Sequence, residues 1–147
     1  MANAKEGLAL VYQNVSMFTE ALMMYQQALD AKLKNRGERD LGVASIYNNI
    51  AVILEKIRRP QEAIVLFNKA ISIKQEILGS YDISVAASLK NLGRTQEYCG
   101  KLPDSMQSMQ AALKIESLTL GPTHPETIAT TSTISSLASK LPPERKI

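Results

Sequence analysis

Apolar residues recur along the chain at intervals of three and four positions, with polar residues between them. One stripe follows Asp40 and consists of Val43, Ala44, Tyr47, Ile50, Ala51 and Leu54. A second stripe follows Pro60 and consists of Ala63, Ile64, Phe67, Ala70, Ile71 and the segment 73–78. This spacing is typical of amphipathic α-helices that bury one face. The pattern predicts two helices joined by a turn at 58–60, with Pro60 in the first turn of the second helix.

The pattern repeats after 42 residues, as the positions of Gly37, Gly79 and Gly121 show. We call a set of positions 42 residues apart a column, and several columns hold residues of similar size. Examples are Leu8, Ile50 and Leu92; Ala9, Ala51 and Gly93; Ala21, Ala63 and Ser105; Tyr25, Phe67 and Met109; and Ala28, Ala70 and Ala112. Small residues at two of these columns predict a close crossing of the two helices of each pair. Repeats of this length bury their apolar faces against their neighbours. We therefore expect an all-α fold of about three helix pairs plus a terminal helix.

Start and stop signals set the predicted boundaries. Asp40, Asp82 and His124 share one column, and an aspartate there can accept hydrogen bonds from the free N–H groups of a helix start. Pro125 fits the first helical position, and the glycines at the end of each unit predict left-handed caps. The prediction is one domain over 1–141, with units of about 2–37, 38–79 and 80–121, a terminal helix over 124–141 and a tail over 142–147.

The columns resemble the tetratricopeptide repeat signature. The matching residues are Leu8, Ala9, Tyr12, Ala21, Tyr25 and Ala28, then Ile50, Ala51, Leu54, Ala63, Phe67 and Ala70, and more loosely Leu92, Gly93, Gln96, Ser105, Met109 and Ala112. The ordinary repeat has about 34 residues, so the unit is similar to the longer variety of kinesin light chains. The segments 47–51 and 120–127 resemble that variety closely. The resemblance implies a right-handed superhelical solenoid of antiparallel helix pairs, whose concave groove is lined by the first helix of each pair.

That resemblance also implies a function: a protein-interaction module, or adaptor, that binds a peptide segment of a partner in the groove. The candidate peptide-binding residues are Asn48, Asn49, Val52, Lys90, Asn91 and Arg94. Asn49 and Asn91 share a column, and an amide can pair with the N–H and C=O groups of a peptide. Lys90 and Arg94 lie one turn apart and can receive a carboxylate. The plainer interpretation is that these residues form an ordinary solvated helix face.

A second family pattern fails. Some tetratricopeptide domains capture the carboxyl terminus of chaperones with a clamp of Lys, Asn and Arg side chains. Glu6 and Leu10 stand at the first-unit clamp positions, Ala87 and Asn91 stand at the third-unit positions, and only Asn49 matches. The sequence therefore predicts no binding of chaperone tails.

Composition narrows the function classes. The net charge is only +3, without a long run of one sign, so we expect no nucleic-acid partner. One cysteine and one histidine cannot form a recognisable metal cluster, so no catalytic residue, metal or cofactor is expected, and the chain is not predicted to be an enzyme. No segment has the length of a membrane span or the pattern of a secretion signal, which predicts a cytoplasmic protein without a membrane partner.

One alternative function stays open. The repeat pattern fades at both ends, and Ile128, Thr131, Ile134 and Ala138 continue the first-helix register into an incomplete fourth unit. This helix either caps the stack or belongs to a longer array. An exposed repeat face could also pair with copies of itself. The alternative is therefore a structural self-assembly or dimerisation segment of a larger repeat protein, a possible homo-oligomer.

Overall fold

The computed structural model describes residues 17–142, and their regular structure is entirely helical. The helices are α1 (Phe18–Arg36), α2 (Leu41–Lys56), α3 (Pro60–Leu78), α4 (Ile83–Tyr98), α5 (Leu102–Thr119) and α6 (Pro125–Lys140). The predicted all-α class is confirmed. The predicted first helix of the first unit, with Leu8, Ala9 and Tyr12, lies outside the described residues, as do Glu6, Leu10 and residues 143–147 of the tail. No helix within 17–142 is both long and apolar enough to cross a membrane.

The contacts divide the chain into two compact bodies after Gly79. The N-terminal body contains α1 to α3, with α1 packed on α2 and α2 packed on α3. The C-terminal body contains α4 to α6, with α4 packed on α5 and α5 packed on α6. The division falls at the predicted boundary between the second and third repeat units. The prediction of a single domain over 1–141 stays a prediction.

The starts of the helices confirm the predicted capping residues. Asp40 Oδ1 accepts hydrogen bonds from the N–H groups of Gly42 at 2.8 Å and Val43 at 3.3 Å, and Asp82 caps α4 in the same way. Helix α6 begins at Pro125, as predicted. His124 also caps, because its Nδ1 accepts the N–H of Glu126 at 3.1 Å. The sequence placed His124 in this column but did not assign it that bond.

The glycines that end the helices differ in part from expectation. Gly37 and Gly79 have positive φ, at 77° and 93°, as predicted for caps. Their ψ angles of −176° and 157° are extended, however, so the predicted left-handed helical conformation is wrong. The N–H of Gly79 still bonds to Gln75 O at 3.0 Å, which completes the last turn. An extended ψ then directs the chain straight toward the next capping aspartate, and only glycine adopts this conformation readily.

Helices α4 and α5 cross closely at Gly93 and Ser105. Ser105 Oγ donates a hydrogen bond to the carbonyl oxygen of Gly93 at 2.7 Å. A Cβ atom on Gly93 would come within 2.9 Å of Met109 Cε, so a larger residue would require the Met109 side chain to shift. The equivalent alanines of the other pair, Ala51 and Ala63, are fully buried. The prediction that small residues allow close crossing is confirmed.

One part of the predicted core is wrong. The stripe on α3 was expected to continue through 73–78, but Ile77 and Leu78 are 40% and 39% exposed. Helix α3 has 19 residues and α2 has 16, so the last turn of α3 has no matching turn on α2. The buried part of the stripe ends at Ile71.

Candidate functional site

Three predicted site residues line one cavity in the C-terminal body. Lys90, Asn91 and Arg94 project from the same side of α4 because three- and four-residue spacing returns to one face of a helix. They border a cavity of about 360 Å³, which we call the C-terminal pocket. Its other lining residues are Ala87 of α4, Met109 of α5, and Ala129, Thr130 and Thr133 of α6. The pocket therefore combines an apolar floor with a polar rim from two helices.

Lys90 is held by two carboxylates. Its Nζ lies 2.9 Å from Glu116 Oε2 and 2.7 Å from Glu126 Oε2. Glu116 belongs to α5 and its side chain is only 2% exposed, whereas that of Glu126 on α6 is 58% exposed. Thr130 Oγ1 donates a further hydrogen bond to Glu116 Oε1 at 2.5 Å. This network of Lys90, Glu116, Thr130 and Glu126 joins all three helices of the C-terminal body.

The ionisation of the network follows from these contacts. Burial lowers the pKa of Lys90, but its hydrogen bonds and charge interactions with Glu126 and Glu116 outweigh burial and raise the pKa above its usual value. The hydrogen bond and charge of Lys90 in turn lower the pKa of Glu126. Lys90 is therefore a firmly charged ammonium whose field is balanced by two carboxylates. It does not present a free positive charge to the pocket.

Arg94 carries the free charge of the pocket. Its guanidinium is exposed and donates a hydrogen bond from Nη2 to Asn91 Oδ1. Within residues 17–142, no carboxylate lies within ion-pair distance of Arg94. The next carboxylate along the helix, that of Glu97, is paired with Lys140 of α6 at 2.6 Å. The guanidinium thus has donors left for a ligand, and Asn91 holds it in place.

The remaining predicted residues lie on α2 of the N-terminal body. Asn48, Asn49 and Val52 are all half-buried. The Asn48 Oδ1 atom is fully buried and has no hydrogen-bond partner among the described residues. Leaving a buried acceptor unpaired costs about 1–3 kcal/mol. Because Asn48 Oδ1 has no exposed surface, a ligand could reach it only after the side chain moved.

Sequence reasoning missed Glu116 because only the first helix of each pair was searched for site residues, and it missed Thr130 because this residue lies on the buried side of α6. A signal was present in the 42-residue columns. Glu116 stands where the earlier units have Lys32 and Lys74, and Lys90 stands where the second unit has Asn48. The change from lysine to glutamate at the first column and the change from asparagine to lysine at the second identify Glu116 and Lys90 as the charged pair of the network.

A second cavity, of about 380 Å³, lies outside the predicted site in the N-terminal body. Its charged groups are largely balanced, since Arg39 Nε pairs with Glu76 Oε2 at 2.9 Å and Lys69 Nζ lies 5.5 Å from the centre of the Tyr47 ring. Within 17–142, no group of three His, Cys, Asp or Glu side chains could hold a metal ion.

Antiparallel helix pairs, repeated at 42 residues and packed through a column of small residues, define a helical-repeat protein. The family model of the tetratricopeptide repeat matches residues 1–76 and 43–115. The chain therefore belongs to the tetratricopeptide repeat family. A comparison with curated proteins finds no match.

Solved structures share this fold. BtubC (BKLC) from P. vanneervenii has a TM-score of 0.86 and 24% identity, over 94% of this chain and 55% of that chain. A putative kinesin light chain from Podosopora anserina, with nearly identical TPR-like repeats, has a TM-score of 0.79 and 21% identity, over 92% and 64%. The chain thus spans 55% and 64% of the length of these two proteins. The resemblance to kinesin light chain repeats is confirmed.

Two further neighbours were solved as complexes. The first TPR of Spaghetti (RPAP3), bound to the HSP90 peptide SRMEEVD, has a TM-score of 0.71 and 16% identity, over 95% of this chain and 91% of that chain. The TPR2B domain of yeast Sti1, in complex with pHsp70, has a TM-score of 0.72 and 17% identity, over 95% and 98%. At these identities the comparison shows the shared fold.

Proposed function

We propose that the chain is a protein-interaction module that binds a peptide segment of a partner at the polar face of α4. One observation carries this proposal: the C-terminal pocket holds an exposed guanidinium, that of Arg94, with no carboxylate partner among the described residues. A surface arginine that is oriented by a neighbouring amide over an apolar floor suits a carboxylate that arrives beside an aliphatic stem.

The pocket residues divide into two roles. Arg94 receives an acidic side chain of the peptide, and Asn91 keeps the guanidinium in position. Ala87, Ala129 and Met109 give the stem of that side chain an apolar contact. Lys90 is a positioning residue, because its ammonium is committed to Glu116 and Glu126. It holds α6 against α4 and so keeps the pocket open.

The polar face of α2, in the N-terminal body, is a separate candidate contact for a peptide. The candidate groups on this face are the half-buried amides of Asn48 and Asn49, and Asn49 shares its column with Asn91. Amide side chains bind a peptide backbone without selecting its side chains. The expected specificity therefore comes from the acidic residue at Arg94.

Solved neighbours support a peptide as the class of partner. The Spaghetti domain is bound to an HSP90 peptide, and the Sti1 domain is in complex with pHsp70. This chain has Ala87 and Asn91 at two clamp positions, which removes the cations of the two-carboxylate clamp. We therefore propose an internal acidic residue of a peptide as the bound group, and not the terminal carboxylate of a chaperone.

The proposal is tested by selecting peptides from a random displayed library on the immobilised chain, with Arg94→Glu as the counter-selection surface. A selected peptide is then titrated by fluorescence anisotropy. We expect an acidic residue to be enriched, and Arg94→Gln to weaken binding at least tenfold, because a charge-assisted bidentate contact contributes about 1.5–3 kcal/mol.

The control is Arg36→Gln, which removes another exposed arginine, from α1. Asn49→Ala combined with Asn91→Ala should also weaken binding, with helicity unchanged by circular dichroism. The proposal fails if no peptide is selected, or if the Arg94 and Arg36 variants bind the selected peptide equally well.

A further inference from the structure

The α2–α3 and α4–α5 helix pairs are built so similarly that their second helices are nearly interchangeable in shape. Helices α2 and α4 both have 16 residues, and α3 and α5 have 19 and 18. On α3 and α5, large apolar and small residues share the same columns, as Phe67 with Met109 and Ala70 with Ala112 show. Apolar contacts of similar size discriminate poorly between alternative partners. Correct pairing of the helices therefore requires a further distinction.

A buried hydrogen bond between side chains joins α4 to α5. Ser108 Oγ of α5 donates to Gln96 Oε1 of α4 at 2.7 Å. Both residues are more than nine-tenths buried, since Ser108 is 7% exposed and Gln96 is 8% exposed. Buried polar groups rely on partners within the protein for their hydrogen bonds. We call Gln96 and Ser108 the polar pair.

The same two columns of the α2–α3 pair hold Leu54 and Leu66, which we call the apolar pair. Leu54 is buried and Leu66 is half-buried. Every buried residue of α2 and α3 is aliphatic or aromatic, whereas the buried residues of α4 and α5 include Gln96 and Ser108. The two helix pairs are therefore similar in shape and opposite in polarity at one matched set of positions.

A wrong combination of helices would separate the polar pair. With α3 packed on α4, the Gln96 amide would face Leu66, whose side chain has no donor. A buried acceptor without a donor shifts a pairing equilibrium by roughly tenfold or more. With α5 packed on α2, Leu54 would face Ser108, and the smaller side chain would leave a gap there. The Ser108 hydroxyl can turn to a carbonyl of its own helix, so the main cost falls on Gln96.

We propose that the polar pair specifies which second helix packs on α4, and so prevents repeat units from pairing out of register within one chain and between copies. A buried polar contact selects one arrangement when the alternatives leave a polar group unpaired. In-register exchange of helices between copies forms the same two pairs and is not opposed by this contact. Neither residue of the polar pair lines the C-terminal pocket, and the proposal does not depend on the proposed peptide function.

The test compares refolding of the complete chain with that of a double variant, Gln96→Leu with Ser108→Leu, which gives both helix pairs the same apolar chemistry. Each protein is unfolded in urea and diluted at a series of protein concentrations, and light scattering measures the oligomeric fraction. Replacing both partners of a buried hydrogen bond by apolar groups leaves stability nearly unchanged. We expect the double variant to unfold at a similar urea concentration, yet to form an oligomeric fraction larger by about fivefold or more.

A quadruple variant separates pairing from the polarity of the core. It adds Leu54→Gln and Leu66→Ser to the double variant, so that the polar pair moves to α2–α3 and the composition of the original chain is restored. We expect it to refold as the original chain does. If the double variant does not fold, Gln96→Leu with Ser108→Ala, which adds no volume at position 108, takes its place. The proposal is overturned if the double variant forms no more oligomer than the original chain, or if the quadruple variant does not regain the original monomeric fraction.

Discussion

Removing the positive charge at Lys90 tests the network that shapes the C-terminal pocket. Lys90→Met keeps the length and the apolar stem of the side chain but deletes the ammonium. Glu116 then keeps its hydrogen bond from Thr130 and loses its cation, although its side chain is only 2% exposed. A buried carboxylate without a counter-charge is strongly unfavourable.

The expected cost follows from the geometry. Breaking a fully buried ion pair by removing one partner costs about 3–5 kcal/mol. The Lys90 side chain is 25% exposed, so water reaches one side of the pair and reduces this value. The bond from Thr130 also remains. We expect Lys90→Met to lower the free energy of unfolding by about 2–3 kcal/mol.

Urea unfolding followed by circular dichroism measures this change, and two further variants isolate its cause. Lys90→Met combined with Glu116→Gln removes both charges and keeps an acceptor for Thr130, so most of the lost stability should return. Glu126→Gln removes the exposed partner and should change stability little. The reasoning is refuted if Lys90→Met is as stable as the original chain, or if the double variant is as unstable as the single one.

Three other outcomes are expected. Arg58, in the turn between α2 and α3, has a φ of 65°, and Gly100, 42 residues later, has a φ of 77°. Glycine adopts positive φ more easily than other residues, so Arg58→Gly should stabilise the chain by about 1 kcal/mol in thermal unfolding. Gly100→Ala should destabilise it by a similar amount. Asp40→Ala removes the bonds that begin α2 and should cost about 1 kcal/mol in the same assay. Because Lys90 lowers the folded-state pKa of Glu126, their pair stabilises the chain above the unfolded pKa of Glu126, and this contribution is lost as pH falls through the lower folded value. Urea titrations across this acidic range should show a small loss of stability from this pair that is absent in Glu126→Gln.

The sequence predicted the helices and their crossings because these depend on local periodicity. Ala51, Gly93 and Ser105 were identified as crossing residues from one column each, and the structure buries all three. The conformation of Gly79 was only half predicted, since a positive φ follows from the residue type, whereas ψ depends on where the next helix begins.

The electrostatics of the candidate site could not be predicted in the same way. Lys90 and Arg94 look equivalent on a helical projection of α4. They differ because Glu116 reaches Lys90 from another helix, and its carboxylate is directed there by Thr130 of a third. Which of two neighbouring cations is free is therefore a property of three-helix geometry, and no single periodic pattern contains it.

The crossing of α4 and α5 constrains how this protein can diverge. The smallest residue, Gly93, faces the hydroxyl of Ser105, while the other pair uses two alanines at the same columns. In both pairs the two side chains at the crossing together contain two heavy atoms, although the residues differ. In related chains, substitutions at these two columns should be correlated, so that a larger side chain on one helix accompanies a smaller side chain on the other. A sequence with larger side chains at both columns should not form the helical hairpin.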